Sequence, residues 1–298
     1  MNGPGGSPTL ERWTAFASAP GGGNPAGVWI GEQLPSPDVM QQIAAEVGYS
    51  ETAFLESTPG PRRWVVRYFS PAAEVDFCGH ATIAAAIALE RRHGPGTFHF
   101  STAVGDVPVV VGHDAGTVTA TLTSVEPRRR DLRRDLLDDV LDSMHLTPEH
   151  LDRVLRPDLA FAGAWHLVLP LGSREDLARL QYDFEQLARI MRIEQLTTVQ
   201  SVWREHPRRF HARNPFPVGG VVEDPATGAA AAALGGYLRT HRHLVPPAEF
   251  TIVQGVDMGR PSLITVHVPS AGGIGVTGTA TEITNQQRGH GEALRTTS

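Results

Sequence analysis

Glu51, His80 and Asp224 are the residues of this chain best suited to moving a proton. His80 and Asp224 sit in two turns of the same build. Phe77-Cys78-Gly79-His80-Ala81-Thr82 runs into an alanine-rich stretch ending at Leu89, and Glu223-Asp224-Pro225-Ala226-Thr227-Gly228 runs into a second one ending at Leu234. Each is a glycine-containing turn followed by a strong helix former, which predicts a bare helix N-terminus at a fixed place. Such an end offers unpaired N–H groups and about half a positive charge, so two of them could hold a carboxylate without any arginine. Gly79 and Gly228, lacking side chains, let a ligand come close to the backbone. Glu51 opens an apolar segment in the first half, where it could act as a base. Taken singly, each residue has a plain structural role: Glu51 as a surface carboxylate, His80 as a hydrogen-bonded structural histidine, Asp224 as a helix N-cap, the glycines as turn formers.

Recurrence favours the site. Arg62-Arg63-Trp64-Val65-Val66-Arg67 precedes the first turn, and Arg208-Arg209-Phe210-His211-Ala212-Arg213 precedes the second. Further back, Gln42-Ile43-Ala44 leads to Ser50-Glu51-Thr52, as Gln186-Leu187-Ala188 leads to Glu194-Gln195-Leu196. The offset of about 145 residues is far too long for a solenoid and predicts two homologous halves. In this alignment Glu51 faces Gln195, which cannot titrate. A base on one side only suits taking a proton from carbon and returning it to the same face.

Composition sets the limits. The 298 residues suit two domains, and 41% hydrophobic content is ordinary for a globular protein. A net charge of −6 gives no electrostatic reason to expect a nucleic acid or an anionic membrane as partner. No apolar run is long enough to predict a transmembrane helix, and Met1 to Gly6 lacks a signal-peptide pattern, so a cytoplasmic protein is expected. The lone Cys78 excludes an internal disulfide. Without clustered cysteines or a His-Glu-x-x-His pair, no metal site is expected.

Patterning places the elements. Thr14–Ser18 and Gly27–Ile30 predict a hairpin around Gly21 to Pro25, and Ser36-Pro37-Asp38 starts a helix. Thr52–Leu55 and Trp64–Phe69 read as strands, Ala81–Arg92 as a helix, and Val107–Val111 with Thr117–Leu122 as a hairpin. Pro127-Arg128-Arg129-Arg130 reads as a solvated linker into the second half. Helices are expected across Leu132–Leu141, after Thr147, and over Phe184–Met191. Residues 1–9 read as a loose leader, and the chain from 285 to 298 as a disordered tail.

Five motifs together resemble the phenazine-biosynthesis PhzF-like family: Gly23-Asn24-Pro25-Ala26-Gly27-Val28, Ser50-Glu51-Thr52-Ala53-Phe54, Cys78-Gly79-His80-Ala81-Thr82, Glu223 to Gly228, and Gln254-Gly255 with Met258-Gly259-Arg260-Pro261. The resemblance covers about residues 10–282 and implies an α/β (α+β) protein of diaminopimelate epimerase-like fold. That fold has two pseudo-symmetric domains, each a curved, mostly antiparallel sheet around a central helix, with the active site in the interdomain cleft. The expected domains are 10–127 and 128–277, with a segment at 278–284 returning to the first. By the same resemblance Glu51, His80 and Asp224 are catalytic, and Asn24, Gly79, Gly228 and Ala229 contact the substrate. It also implies a homodimer, no metal or organic cofactor, and a small carboxylic acid as substrate.

The phenazine enzyme carries a serine where this chain has Ala229, which points to a related unsaturated or cyclic acid instead. Cys78 stands where two-cysteine racemases of similar fold place their first thiol, but Pro225 holds the second position. The expected activity is a cofactor-independent proton shift by an isomerase. Two alternatives stay open: an epimerase or racemase working through Glu51 and another group, and a non-catalytic acid-binding protein on the same scaffold.

Overall fold

The computed structural model describes residues 8–60 and 62–284. The expected tail at 285–298, and all of the expected leader before residue 8, lie outside them. The chain divides into two compact units, Met1–Leu122 with Gly278–Ser298, and Thr123–Thr277.

The first unit opens with a hairpin of β1 (Thr9–Ala15) and β2 (Asn24–Gly31), Ala15 opposite Asn24. Helix α1 (Pro37–Val47) crosses to β3 (Glu51–Ser57), which runs parallel to β2. β4 (Arg63–Phe69) is antiparallel to β3, and the short β5 (Glu74–Val75) folds back on β4. Helix α2 (Gly79–His93) then crosses to β6 (Gly96–Thr102), parallel to β4, and a meander of β7 (Gly105–Asp114) and β8 (Thr117–Thr123) follows. Parallel neighbours need such helical crossovers, because no tight turn can join them.

The second unit contains β9 (Arg128–Arg130), α3 (Arg134–Ser143), β10 (Asp158–Phe161), β11 (Trp165–Leu171), α4 (Arg174–Ala178) and α5 (Phe184–Glu194). Next come β12 (Thr198–His206), β13 (Arg209–Arg213), the small pair β14 (Pro215–Phe216) and β15 (Val221–Glu223), and α6 (Gly228–Thr240). The chain finishes this unit with β16 (Ala248–Gln254), β17 (Ser262–Val268) and β18 (Gly275–Gly278), and returns to the first as β19 (Ala280–Glu282), antiparallel to β1.

The duplication is explicit in the pairing. The first unit orders its strands β19-β1-β2-β3-β4-β6-β7-β8, and the second β9-β10-β11-β12-β13-β16-β17-β18. Read along either row, successive neighbours are antiparallel, antiparallel, parallel, antiparallel, parallel, antiparallel, antiparallel. The fold is thus the mostly antiparallel, diaminopimelate epimerase-like α/β arrangement that the motifs implied.

Strand alternation decides which side chains meet the central helices. Phe54 packs outward with Trp29, Met40, Ala44 and Phe69, beneath α1. Glu51, Ala53 and Leu55 therefore project to the other face, where α2 lies against β2, β1 and β3. In the second unit Val199 joins Leu167, Leu169 and the leucines of α3 and α5 in an outer core, which turns Thr198 and Gln200 toward α6. From His80 to Leu89 every residue of α2 is buried, and so is nearly all of α6 from Ala230 to Leu238. A helix enclosed all round must carry small side chains to fit, which accounts for the two alanine runs.

Two readings of the sequence change. Arg128–Arg130 is not a linker but an edge strand paired to β10. Arg129 bonds Asp158 at 2.9 Å, while Arg128 and Arg130 cover the rings of Phe161 and Trp165. Thr147 starts only a single 3₁₀ turn, Pro148–His150. No helix among the described residues is long and apolar enough to cross a membrane.

Ala85 on α2 is fully buried, and Ala45 on α1 is exposed. Ala85→Leu should cost about 1–3 kcal/mol through overpacking, lowering the thermal unfolding midpoint by several degrees. Ala45→Leu should leave it within about 0.5 kcal/mol of the parent.

Candidate active site

In the first unit the start of α2 meets the start of β3. Glu51 is the first residue of β3, opposite Ala26, and His80 is the second residue of α2. The His80 Nε2 atom lies 3.4 Å from Glu51 Oε2, with side-chain exposures of only 8% and 16%. Ser50 Oγ is 3.4 Å from the same nitrogen. On the other side of the ring Nδ1 lies 3.2 Å from Asn24 Nδ2 and 3.3 Å from Cys78 Sγ. Glu51, His80 and Asn24 are thus brought together, with Gly79 in the same turn. Cys78 occupies the N-cap position of α2, and its side chain makes no capping bond.

Burial holds the His80 ring below the ordinary histidine value, and that effect outweighs the opposing pull of Glu51 and of the Pro25 carbonyl. His80 is therefore neutral at pH 7, and its contact with Glu51 is that of a neutral ring beside a carboxyl group rather than an ion pair. Two tautomers fit. With the proton on Nε2 the ring presents its N–H on the side of Glu51 and can accept the Asn24 amide at Nδ1. With the proton on Nδ1 the ring leaves Nε2 as an acceptor beside the Ser50 hydroxyl, 3.4 Å away.

In the second unit Asp224, Gly228 and Ala229 form their own group at the start of α6. The N-cap is Thr227, not Asp224, and its side chain makes no capping bond. Instead the Thr227 hydroxyl donates to Asp224 Oδ2 at 2.5 Å, and the Asp224 N–H donates to the Asn214 carbonyl at 3.0 Å. Beneath the turn Gln254 braces both ends. Its Nε2 donates to the Asp224 carbonyl at 2.7 Å, and its Oε1 accepts the Thr227 N–H at 3.4 Å. Gly255 must be glycine: φ is +74°, and a Cβ there would lie 2.3 Å from the Arg260 carbonyl oxygen and 2.8 Å from that of Pro225. Just before Asp224, the guanidinium of Arg213 chelates buried Glu223 at 2.7–3.2 Å and caps the carbonyls of Leu177, Ala178 and Leu180. Gln254 and Arg213 were visible in the sequence only as parts of motifs, and nothing in their spacing announced these partners.

The counterpart of Glu51 also changes. Phe54 lies opposite Arg67, and Ser201 lies opposite Arg213, the matching arginine of the second half. Three residues earlier stand Glu51 and Thr198, each the first residue of its strand. Gln195 instead matches Gly48: both end their helices in the left-handed conformation, at φ 56° and 70°. The sequence alignment was three residues out because that slip is close to one helical turn, which leaves an amphipathic pattern nearly in step. Thr198 joins His166 at 2.8 Å and donates to Asn214 Oδ1 at 3.1 Å. His166 is fully buried, and desolvation alone pushes its pKa down to about 3.

A family model for phenazine biosynthesis-like proteins matches residues 13–286. The chain belongs to this family. Among its PhzF-like relatives, an uncharacterised isomerase of Bacillus subtilis is 31% identical over 279 residues, covering 90% of this chain and 94% of its own. The trans-2,3-dihydro-3-hydroxyanthranilate isomerase of Pseudomonas chlororaphis is 30% identical over 255 residues, covering 84% and 86%. A crystal structure of a PhzF-family phenazine biosynthesis protein from Bacillus anthracis has the same fold, with a TM-score of 0.83 over 93% of this chain and 98% of that one, at 24% identity.

This PhzF-like chain should show two consequences of its turns and buried rings. Gln254→Ala and Gly255→Ala should each lower stability by about 1–3 kcal/mol, from lost hydrogen bonds in the first case and backbone strain in the second; thermal unfolding reads both. His80 and His166 have folded-state values below the unfolded one, so the unfolded chain takes up their protons first. Their contribution is complete above about pH 6.5 and is lost as pH falls, in the case of His166 down to about 3. His166→Gln should flatten the acid slope of urea-unfolding stability by up to about 1.4 kcal/mol per pH unit; an unchanged slope would contradict a neutral buried ring.

Proposed function

We propose that this chain, an isomerase by its family, moves a proton between two carbons of a small unsaturated or cyclic carboxylic acid, with Glu51 as base and then acid. The observation that carries the reading is the half-buried Glu51 carboxylate held against a neutral, buried His80 at 3.4 Å. A neutral ring leaves the carboxylate its charge, so Glu51 can take a proton from carbon. Glu51 then holds the proton as a neutral carboxyl beside the neutral ring until it delivers it to the second carbon. The N–H groups at the start of α2, to which the Cys78 side chain makes no capping bond, are suited to the acid group of the substrate and to the enolate-like charge that grows during transfer. Proton removal and return balance without an oxidant or reductant. On the family resemblance Asp224 enters as a proposed catalytic residue, and Asn24, Gly79, Gly228 and Ala229 as proposed substrate contacts.

The name of the Pseudomonas chlororaphis relative supports a cyclic dienol acid as the substrate class. Ala229 argues for a different member of that class, since it supplies no side-chain hydroxyl. A two-thiol racemase mechanism is excluded, because Cys78 is the one cysteine of the chain.

The test is solvent deuterium incorporation into a panel of cyclic and unsaturated carboxylic acids. The parent should exchange at least one of them. Glu51→Gln should abolish exchange, and His80→Asn should slow it by about 10²-fold or more. Full exchange in Glu51→Gln would remove the glutamate from the mechanism.

A further inference from the structure

On the face of the second unit's sheet that meets α6, four buried polar atoms have no hydrogen-bond partner among the described residues: His166 Nε2, both ends of the Gln200 amide, and Asn214 Nδ2. All three residues are completely buried. They are contiguous, since the Thr198 hydroxyl reaches His166 at 2.8 Å and Asn214 at 3.1 Å, and Gln200 follows Thr198 on the same face of β12. The shared frame does not call for them. With Thr198 matched to Glu51 and Arg213 to Arg67, the corresponding residues of the first unit are Ala26, Ala53 and Tyr68. The Tyr68 hydroxyl is paired with that of Thr82 at 2.6 Å, and the two alanines have nothing to pair. A buried amide or imidazole left unsatisfied costs more than a satisfied one contributes, so the patch calls for a ligand that completes it.

The order of the hydrogen bonds names that ligand. Thr198 gives its single hydroxyl proton to Asn214 Oδ1, so its oxygen accepts from His166 Nδ1–H. Burial keeps the ring neutral at pH 7, which leaves Nε2 as a bare acceptor. The open positions are thus two acceptors, His166 Nε2 and Gln200 Oε1, and two donors, Gln200 Nε2 and Asn214 Nδ2. A cation would leave the donors idle and an anion the acceptors, whereas water serves both. We propose that this patch is an internal water site, and that the hydrated network positions Asp224 for its part in the reaction. Asn214 is the joint. Its side chain belongs to the network, and its carbonyl accepts the Asp224 N–H at 3.0 Å. His166, Thr198, Gln200 and Asn214 are therefore positioning residues, acting through the turn that carries Asp224. The positioning rests on the catalytic role proposed for Asp224; the water site does not.

The experiment has a structural and a kinetic arm, both on the full chain. Crystals that diffract well enough to show ordered water should hold at least one water within about 3.2 Å of His166 Nε2 or of a Gln200 amide atom. Gln200→Met, close in shape and without polar hydrogens, should lower the thermal unfolding midpoint by several degrees. A dry patch predicts the opposite sign, because removing an unpaired buried amide relieves a penalty. A raised midpoint, or a patch empty of water in the crystal, would overturn the site. In the kinetic arm, Thr198→Val cuts the links to His166 and Asn214 while keeping the shape of the side chain. Folded by circular dichroism, it should lower the saturating rate of deuterium exchange by about tenfold or more, with little change in the half-saturating acid concentration. Thr198→Ser should restore the rate. Full exchange in Thr198→Val beside an inactive Asp224→Asn would remove the positioning and leave Asp224 in the mechanism. Full exchange in both would sink the role of Asp224, and the positioning with it, whatever the crystal shows of the water.

Discussion

Each half is organised around a helix that has no exposed side. Ala81, Ala84, Ala85, Ala86 and Ala88 of α2, and Ala230 to Ala233 of α6, are all within 2% of complete burial. Only near-minimal side chains let strands approach a helix from every direction, so the alanine runs are a steric condition for the fold rather than a preference for helix. The enclosed helix cannot slide or roll. Its first turn is therefore fixed to within a side chain, and so are the groups that share it. His80 takes its place opposite Glu51 because α2 can sit in only one way against β2 and β3. Asp224 is held by the turn that leads into α6 for the same reason.

The two halves have used one frame differently. At the strand position that carries Glu51 in the first, the second carries Thr198, tied into a network with His166 and Asn214 that is polar, buried and uncharged at neutral pH. A single ionisable carboxyl in a duplicated frame is what a one-base proton transfer requires. The asymmetry anticipated from Gln195 survives, with a different residue as its basis.

The duplication was legible in the sequence because glycine turns and alanine runs reflect a constraint that acts on local composition. The meeting of Glu51 with His80 was not legible in the same way: the sequence and the family resemblance named both residues, but not their contact. The register was less legible, because an amphipathic helix looks nearly the same after a slip of one turn. The arginine run at 128–130 misled because charge is the usual mark of a linker, while here the guanidinium groups lie over Phe161 and Trp165 and along an edge strand. Gln254 and Arg213 act through backbone carbonyls of distant segments, and such partners leave no trace in spacing.

The return of β19 to β1 has a bearing on how the molecule is made. Trp13 pairs with Glu282, the Ile283 N–H reaches the Arg12 carbonyl, and Arg91 grips the Glu282 carboxylate at 2.6 Å. During synthesis the first half leaves the ribosome with the outer edge of β1 bare, and it stays bare while the whole second half is translated. An open strand edge invites pairing with other chains. The half that is made first is thus the last to be finished, and its nascent form is the stage at which a chaperone has most to protect.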